Sequence, residues 1–215
     1  MKRRVFLKEI KMAKNYEGTI KACFIGYIVQ AIVNNFTPLL FIRFGTEYNI
    51  PLSEITMLIT VNILLQLMMD FASAFFIDRI GYKASCLIAH GSCAAGLIAL
   101  AVLPGMFANA YIGLLIAVLM YAVGGGLLEV VISPMVEACP SEHKDKTMSM
   151  LHSFYCWGTV IVIAFSTLFF YFFGIENWKT FSLIWAILPI LNGIAFIFLP
   201  VCSLADGDEE GLSLK

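Results

Sequence analysis

Glu129 lies inside a segment of hydrocarbon character, Gly124-Gly-Gly-Leu-Leu-Glu129-Val-Val-Ile-Ser-Pro134, and no Lys or Arg occurs between Ala108 and Lys144. A carboxylate at such depth costs about 2.5–3.5 kcal/mol on insertion scales. Chains keep such groups where they line a polar path or bind something, so Glu129 is a candidate site for a proton or a polar solute. Asn62, Gln66 and Asp70 are spaced four apart, which stacks them on one helical face. Gln30, Asn34 and Asn35 fall in an earlier apolar run, and His152, Tyr155 and Trp157 in a later one. Neutral amides and a carboxyl suit hydroxyl-bearing solutes, while Tyr155 or Trp157 can stack on a ring face. A carboxyl in a cavity that is alternately wet and dry can also load and release a proton.

The elements that must hold these groups are membrane helices. The chain is 60% hydrophobic and 13% charged, with a mean hydropathy of +0.86, against about 25% charge in soluble domains. Apolar runs at about 20–43, 54–77, 84–104, 109–136, 147–173 and 179–201 are each long enough to cross a bilayer. The expectation is an all-α polytopic membrane protein with six spans, a basic head (1–19) and an acidic tail (202–215) that reads as the start of a linker. Spans 1, 2, 4 and 5 carry the amides and acids and should line a cavity, backed against lipid by spans 3 and 6. His90 and Asn192 are the large polar groups of spans 3 and 6, and His90 reads as a packing residue. Trp178, Tyr48 and Tyr111 fall where an interfacial aromatic belt would stand.

Twelve of the fourteen Lys and Arg fall on one side of this arrangement, leaving Arg43 and Lys179 on the other. The positive-inside rule then puts both termini in the cytoplasm, at a plasma or inner membrane. The first apolar run is too long for a cleaved signal peptide and lacks a small-residue cleavage site. The six cysteines read as packing residues, with no CxxC pair. His-Glu-x-x-His is absent, span 6 lacks the histidine that a serine-type intramembrane protease needs, and Asp70 has no intramembrane aspartate partner. These absences argue against an enzyme. No cofactor, metal or nucleic-acid partner is expected.

Three segments carry a resemblance. Asp78-Arg79-Ile80-Gly81-Tyr82-Lys83, after span 2, resembles the signature of the major facilitator superfamily between its second and third helices, with Ala74 where a glycine is usual. The Gly124–Glu129 and Ser133-Pro134 segment resembles helix 4 of the fucose/glucose/galactose–proton symporter group. There the resemblance implies a glutamate that serves substrate binding and proton coupling. Asn35 stands where that group has an acidic partner. Either Glu129 carries the proton alone, or Asp70 substitutes, or transport is uncoupled. Glu137-Ala-Cys-Pro140 is similar to a sugar-porter motif whose glutamate latches onto the loop between helices 2 and 3, which implies a Glu137–Arg79 pair.

The resemblance implies one half of a facilitator fold, built from two inverted three-helix repeats. The implied activity is secondary transport of a small neutral polar solute, in particular a sugar. The partners would be that solute, a proton, the bilayer, and either a C-terminal six-helix half or a second copy of this chain. A truncated reading frame, a split transporter and a homodimer are the three arrangements to consider. A non-transporting subunit is the alternative.

Overall fold

The computed structural model describes residues 2–140 and 144–201, and the side chains of residues 16–140 and 144–201 apart from Ala74 and Asp78. The basic head's side chains and the acidic tail therefore lie outside the described residues. Among the described residues the chain is helical throughout, with six helices long and apolar enough to cross a membrane. These are span 1 (Tyr16–Tyr48), span 2 (Leu52–Ser73), span 3 (Tyr82–Gly105), span 4 (Ala110–Ala138), span 5 (Lys144–Phe173) and span 6 (Ile175–Phe198).

Span 1 is interrupted. Its long helix ends at Asn35, a 3-10 turn covers Thr37–Leu40, and a second helix runs Phe41–Tyr48. Pro38 accounts for the break, because it removes a backbone donor and crowds the preceding turn. The connection between spans 2 and 3 is tighter than the sequence suggests. One helix runs to Ile80 and the next starts at Tyr82, leaving Gly81 alone at φ 84. A β-carbon there would meet nothing within 4 Å. The demand for glycine at this turn is therefore purely conformational. Arg79 consequently lies in the last helical turn rather than in a loop.

Span 4 is the hub. Spans 1, 2 and 3 all pack on it, span 6 packs on span 3, and span 5 packs mainly on span 1. Span 3 is as deeply placed as span 1, with 56% of its most apolar window buried. It packs on spans 4 and 6. Spans 2 and 5 are the least covered, at 22% and 17%. Their open faces carry Phe71, Phe165 and Tyr171.

Buried polar groups are paired across helices. His90 Nδ1 lies 2.8 Å from the Cys86 carbonyl, and Asn192 Nδ2 donates to Ala22 O at 3.0 Å and lies 2.8 Å from His90 Nε2. A carbonyl only accepts, so Nδ1 carries the proton and Nε2 accepts from the amide. This cluster ties spans 1, 3 and 6, consistent with a packing role for His90. At one end of the bundle Lys83 Nζ donates to Ile197 O (2.8 Å) and Leu199 O (3.1 Å), and Thr19 Oγ1 donates to Pro200 O (2.6 Å). Both satisfy carbonyls left open where span 6 ends, and the ammonium also complements the helix dipole.

At the other end Glu47 accepts from Arg43 Nε (2.8 Å) and Trp178 Nε1 (2.9 Å), with Lys179 Nζ at 3.3 Å. The Lys179 ammonium also sits 5.4 Å from the Trp178 ring centre. Trp178 is fully buried and packs edge-on against Phe44 at 5.2 Å. It is therefore a core residue joining spans 1 and 6, not the belt residue its position suggested. Glu47→Gln should lower stability by about 1–2 kcal/mol, because three donors lose a charged acceptor while partial exposure limits the loss. Thermal melting of the purified protein in detergent measures it.

Candidate functional site

Spans 1, 2, 4 and 5 surround a cavity with two lobes. The first, of about 480 Å³, is walled by Tyr27, Gln30 and Asn34 from span 1, Glu129 and Ser133 from span 4, and His152, Tyr155 and Cys156 from span 5. The second, of about 400 Å³, brings in Asn62, Gln66 and Asp70 from span 2, with Ile59, Ile63 and Leu67 as its apolar wall. Asn34, Glu129 and Tyr155 line both lobes.

Local sequence explains the convergence. Tyr27, Gln30 and Asn34 lie at i, i+3 and i+7, and His152, Tyr155 and Cys156 at i, i+3 and i+4, so each set shares one helical face. Ser133 lies one turn beyond Glu129. The glycines ahead of Glu129 let span 2 approach: a β-carbon on Gly126 would come within 2.8 Å of Met69 Cβ, and one on Gly125 within 3.4 Å of the Gln66 amide. Bulkier residues there would push the amide face of span 2 away from Glu129.

Hydrogen bonds order the polar wall. Gln30 Nε2 donates to Glu129 Oε2 at 3.0 Å. Tyr27 and Ser133 join their hydroxyls at 2.6 Å. Asn34 Oδ1 accepts from Asn62 Nδ2 (3.2 Å) and Gln66 Nε2 (2.6 Å), and Gln66 Nε2 also donates to Asn62 Oδ1 (2.8 Å). Asn34 Nδ2 donates to Tyr155 OH at 3.3 Å. One span 1 amide thus links spans 2 and 5 across the cavity. Asp70 Oδ1 is buried and accepts no hydrogen bond.

Of the residues singled out from sequence, Glu129, Asp70, Gln30, Asn34, Asn62, Gln66, His152 and Tyr155 meet at this cavity. Asn35 and Trp157 do not line either lobe. Asn35 Nδ2 donates to Ala31 O (2.8 Å) and Thr159 Oγ1 (3.3 Å), and Trp157 is 65% exposed on the outer face of span 5. His152 lies two turns inside the span 5 helix. Tyr27, Ser133 and Cys156 belong to the wall without having been proposed for it. Their spacing from Gln30, Glu129 and His152 was the available signal.

The family model of the Major Facilitator Superfamily matches residues 23–209, nearly the whole chain. The chain belongs to the major facilitator superfamily. Its six membrane-length helices are consistent with half of a facilitator fold, and it is a multi-pass membrane protein of a transport family. No curated protein matches the chain.

In this facilitator Gly81 makes the single-residue turn of the signature segment and Lys83 caps span 6. Arg79 and Glu137 are both exposed and form no ion pair with each other among the described residues. The Asp78 side chain lies outside the described residues. No group of His, Cys, Asp and Glu among the described residues is placed to hold a metal ion.

Cys156 offers a direct check on the cavity. It is exposed in the first lobe, while Cys23, Cys86, Cys93 and Cys139 are buried. In a Cys202→Ser background, a water-soluble maleimide should modify Cys156 in native protein and spare the other four. Mass spectrometry of the digested protein reads this out, and protection of Cys156 would contradict an open lobe.

Proposed function

We propose that the chain carries a small neutral polar solute, most simply a sugar, across the membrane by alternating access, coupled to protons through Glu129. The observation behind this reading is a carboxyl set in a cavity wall of amides and hydroxyls, with no Lys or Arg among the lining residues. Amides and hydroxyls match sugar hydroxyls as donors and acceptors, and the Tyr27 and Tyr155 rings suit the apolar face of a pyranose. Lacking a cationic partner, Glu129 is free to change its charge during a cycle.

In this reading residues 20–201 form an N-terminal half, both termini are cytoplasmic, and the host is a plasma or inner membrane. The sparse coverage of spans 2 and 5, which flank the cavity, supports a partner there. A C-terminal six-helix half is the first choice, and a second copy of this chain is the alternative.

The test uses the complete transporting unit in liposomes supplied with radiolabelled fucose, glucose and galactose. Accumulation of one of them driven by an inward proton gradient is expected. Failure of all three, with or without the gradient, would sink the sugar reading.

A further inference from the structure

We propose that the two lobes divide the work, the solute taking the Tyr27–His152 side and protons reaching Glu129 through the Asp70 side. This rests on the proton-coupled reading above.

The first lobe offers hydrogen-bonding groups on three helices: the Tyr27–Ser133 hydroxyl pair, one of whose two protons joins the two oxygens, the His152 ring, and the Gln30 amide, whose Nε2 gives one proton to Glu129. Its volume of about 480 Å³ is within the range of small-molecule pockets. The second lobe is nearly as large but poorly equipped for a polyol. One wall is Ile59, Ile63 and Leu67. Both Gln66 Nε2 protons go to Asn34 and Asn62, and Asn62 gives one of its own to Asn34. Asp70 lines this lobe together with Glu129, and its buried Oδ1 accepts no hydrogen bond. About 400 Å³ has room for several waters at about 30 Å³ each.

The Asn34–Tyr155 hydrogen bond stands between the lobes, and Glu129 is reached from both. Transfer runs from the Asp70 carboxylic acid through lobe water to the Glu129 carboxylate. Asp70 is left as a carboxylate and takes its next proton from hydronium entering the lobe. Solute and proton then meet at Glu129 without sharing an approach, and solute binding need not block reprotonation.

Infrared spectroscopy of the complete transporting unit in D₂O tests this without any solute. The carboxylic acid C=O band that Glu129→Gln removes identifies protonated Glu129, and its isotope shift times the exchange of that proton with bulk. Asp70→Asn should slow the exchange by at least about tenfold, and Asp70→Glu should restore it. Alkylating Cys156 with fluorescein maleimide, which places a bulky group at the wall of the first lobe, should leave the exchange time unchanged. Exchange that ignores Asp70→Asn, or that slows equally on Cys156 alkylation, would overturn the division of lobes and leave the coupling reading standing. If no acid band disappears with Glu129→Gln at any pH, Glu129 carries no proton, and both readings fall.

Discussion

Glu129→Gln should abolish proton-driven accumulation while exchange of solute across the membrane continues. Glutamine keeps the volume and can still hydrogen-bond Gln30, which now donates to Glu129 at 3.0 Å. It cannot take up or release a proton. A transporter moving one proton with each solute converts a one-unit pH gradient, about 1.4 kcal/mol, into about a tenfold accumulation. With glutamine the gradient has nothing to act on, and the ratio should fall to one. Exchange needs only that the loaded site face each side in turn, and a neutral side chain at position 129 permits that. Paired uptake and counterflow assays separate the outcomes. Retained accumulation would remove Glu129 from coupling. Loss of both activities would make it a solute ligand whose charge is essential for binding.

The cavity was largely legible because membrane burial makes polar residues expensive. Glu129, Asp70, Asn62 and Gln66 stood out against apolar surroundings, and the four-residue spacing in span 2 already placed three of them on one face. What the sequence obscured follows from helix geometry. Asn34 and Asn35 are adjacent, so about 100° of rotation separates them, and only Asn34 reaches the cavity. Tyr155 and Trp157 are two apart and point to nearly opposite sides. Tyr27 and Ser133 were hidden for another reason. A tyrosine or serine in an apolar run is cheap enough to pass as packing, and their 2.6 Å bond joins spans 106 residues apart in sequence.

The fold shows the same division. Six spans were readable from hydropathy, and Pro38 marked the break in span 1. The burial of Trp178 was not readable. It depends on Glu47 arriving from the far end of span 1 to accept the indole proton. Lys83 is similar: charge placed it near a membrane surface, but only the tertiary structure brings the carbonyls of span 6 to it.

Gly96→Ala should be far more damaging than its size suggests. A β-carbon at Gly96 would lie 2.6 Å from the backbone nitrogen of Tyr121 and 2.9 Å from its Cα. Further along the same seam, one at Gly124 would lie 2.6 Å from Ala89 O, and one at Gly113 would lie 2.6 Å from Leu103 O. Spans 3 and 4 therefore touch backbone to backbone over several turns. Lipid tails are as apolar as side chains, so close packing of this kind supplies much of the helix association. The obstacle at Gly96 is main chain, which cannot rotate away as a side chain would. Separating the helices would also displace span 4, and Glu129 with it. The expected loss is about 3 kcal/mol or more, a fall in melting temperature on the order of 10 °C. Gly91→Ala is the matched control, since a β-carbon there meets nothing within 4 Å and alanine favours the helix by up to about 1 kcal/mol. Melting the two variants side by side in detergent decides the matter. Equal stability would mean that spans 3 and 4 can part without penalty.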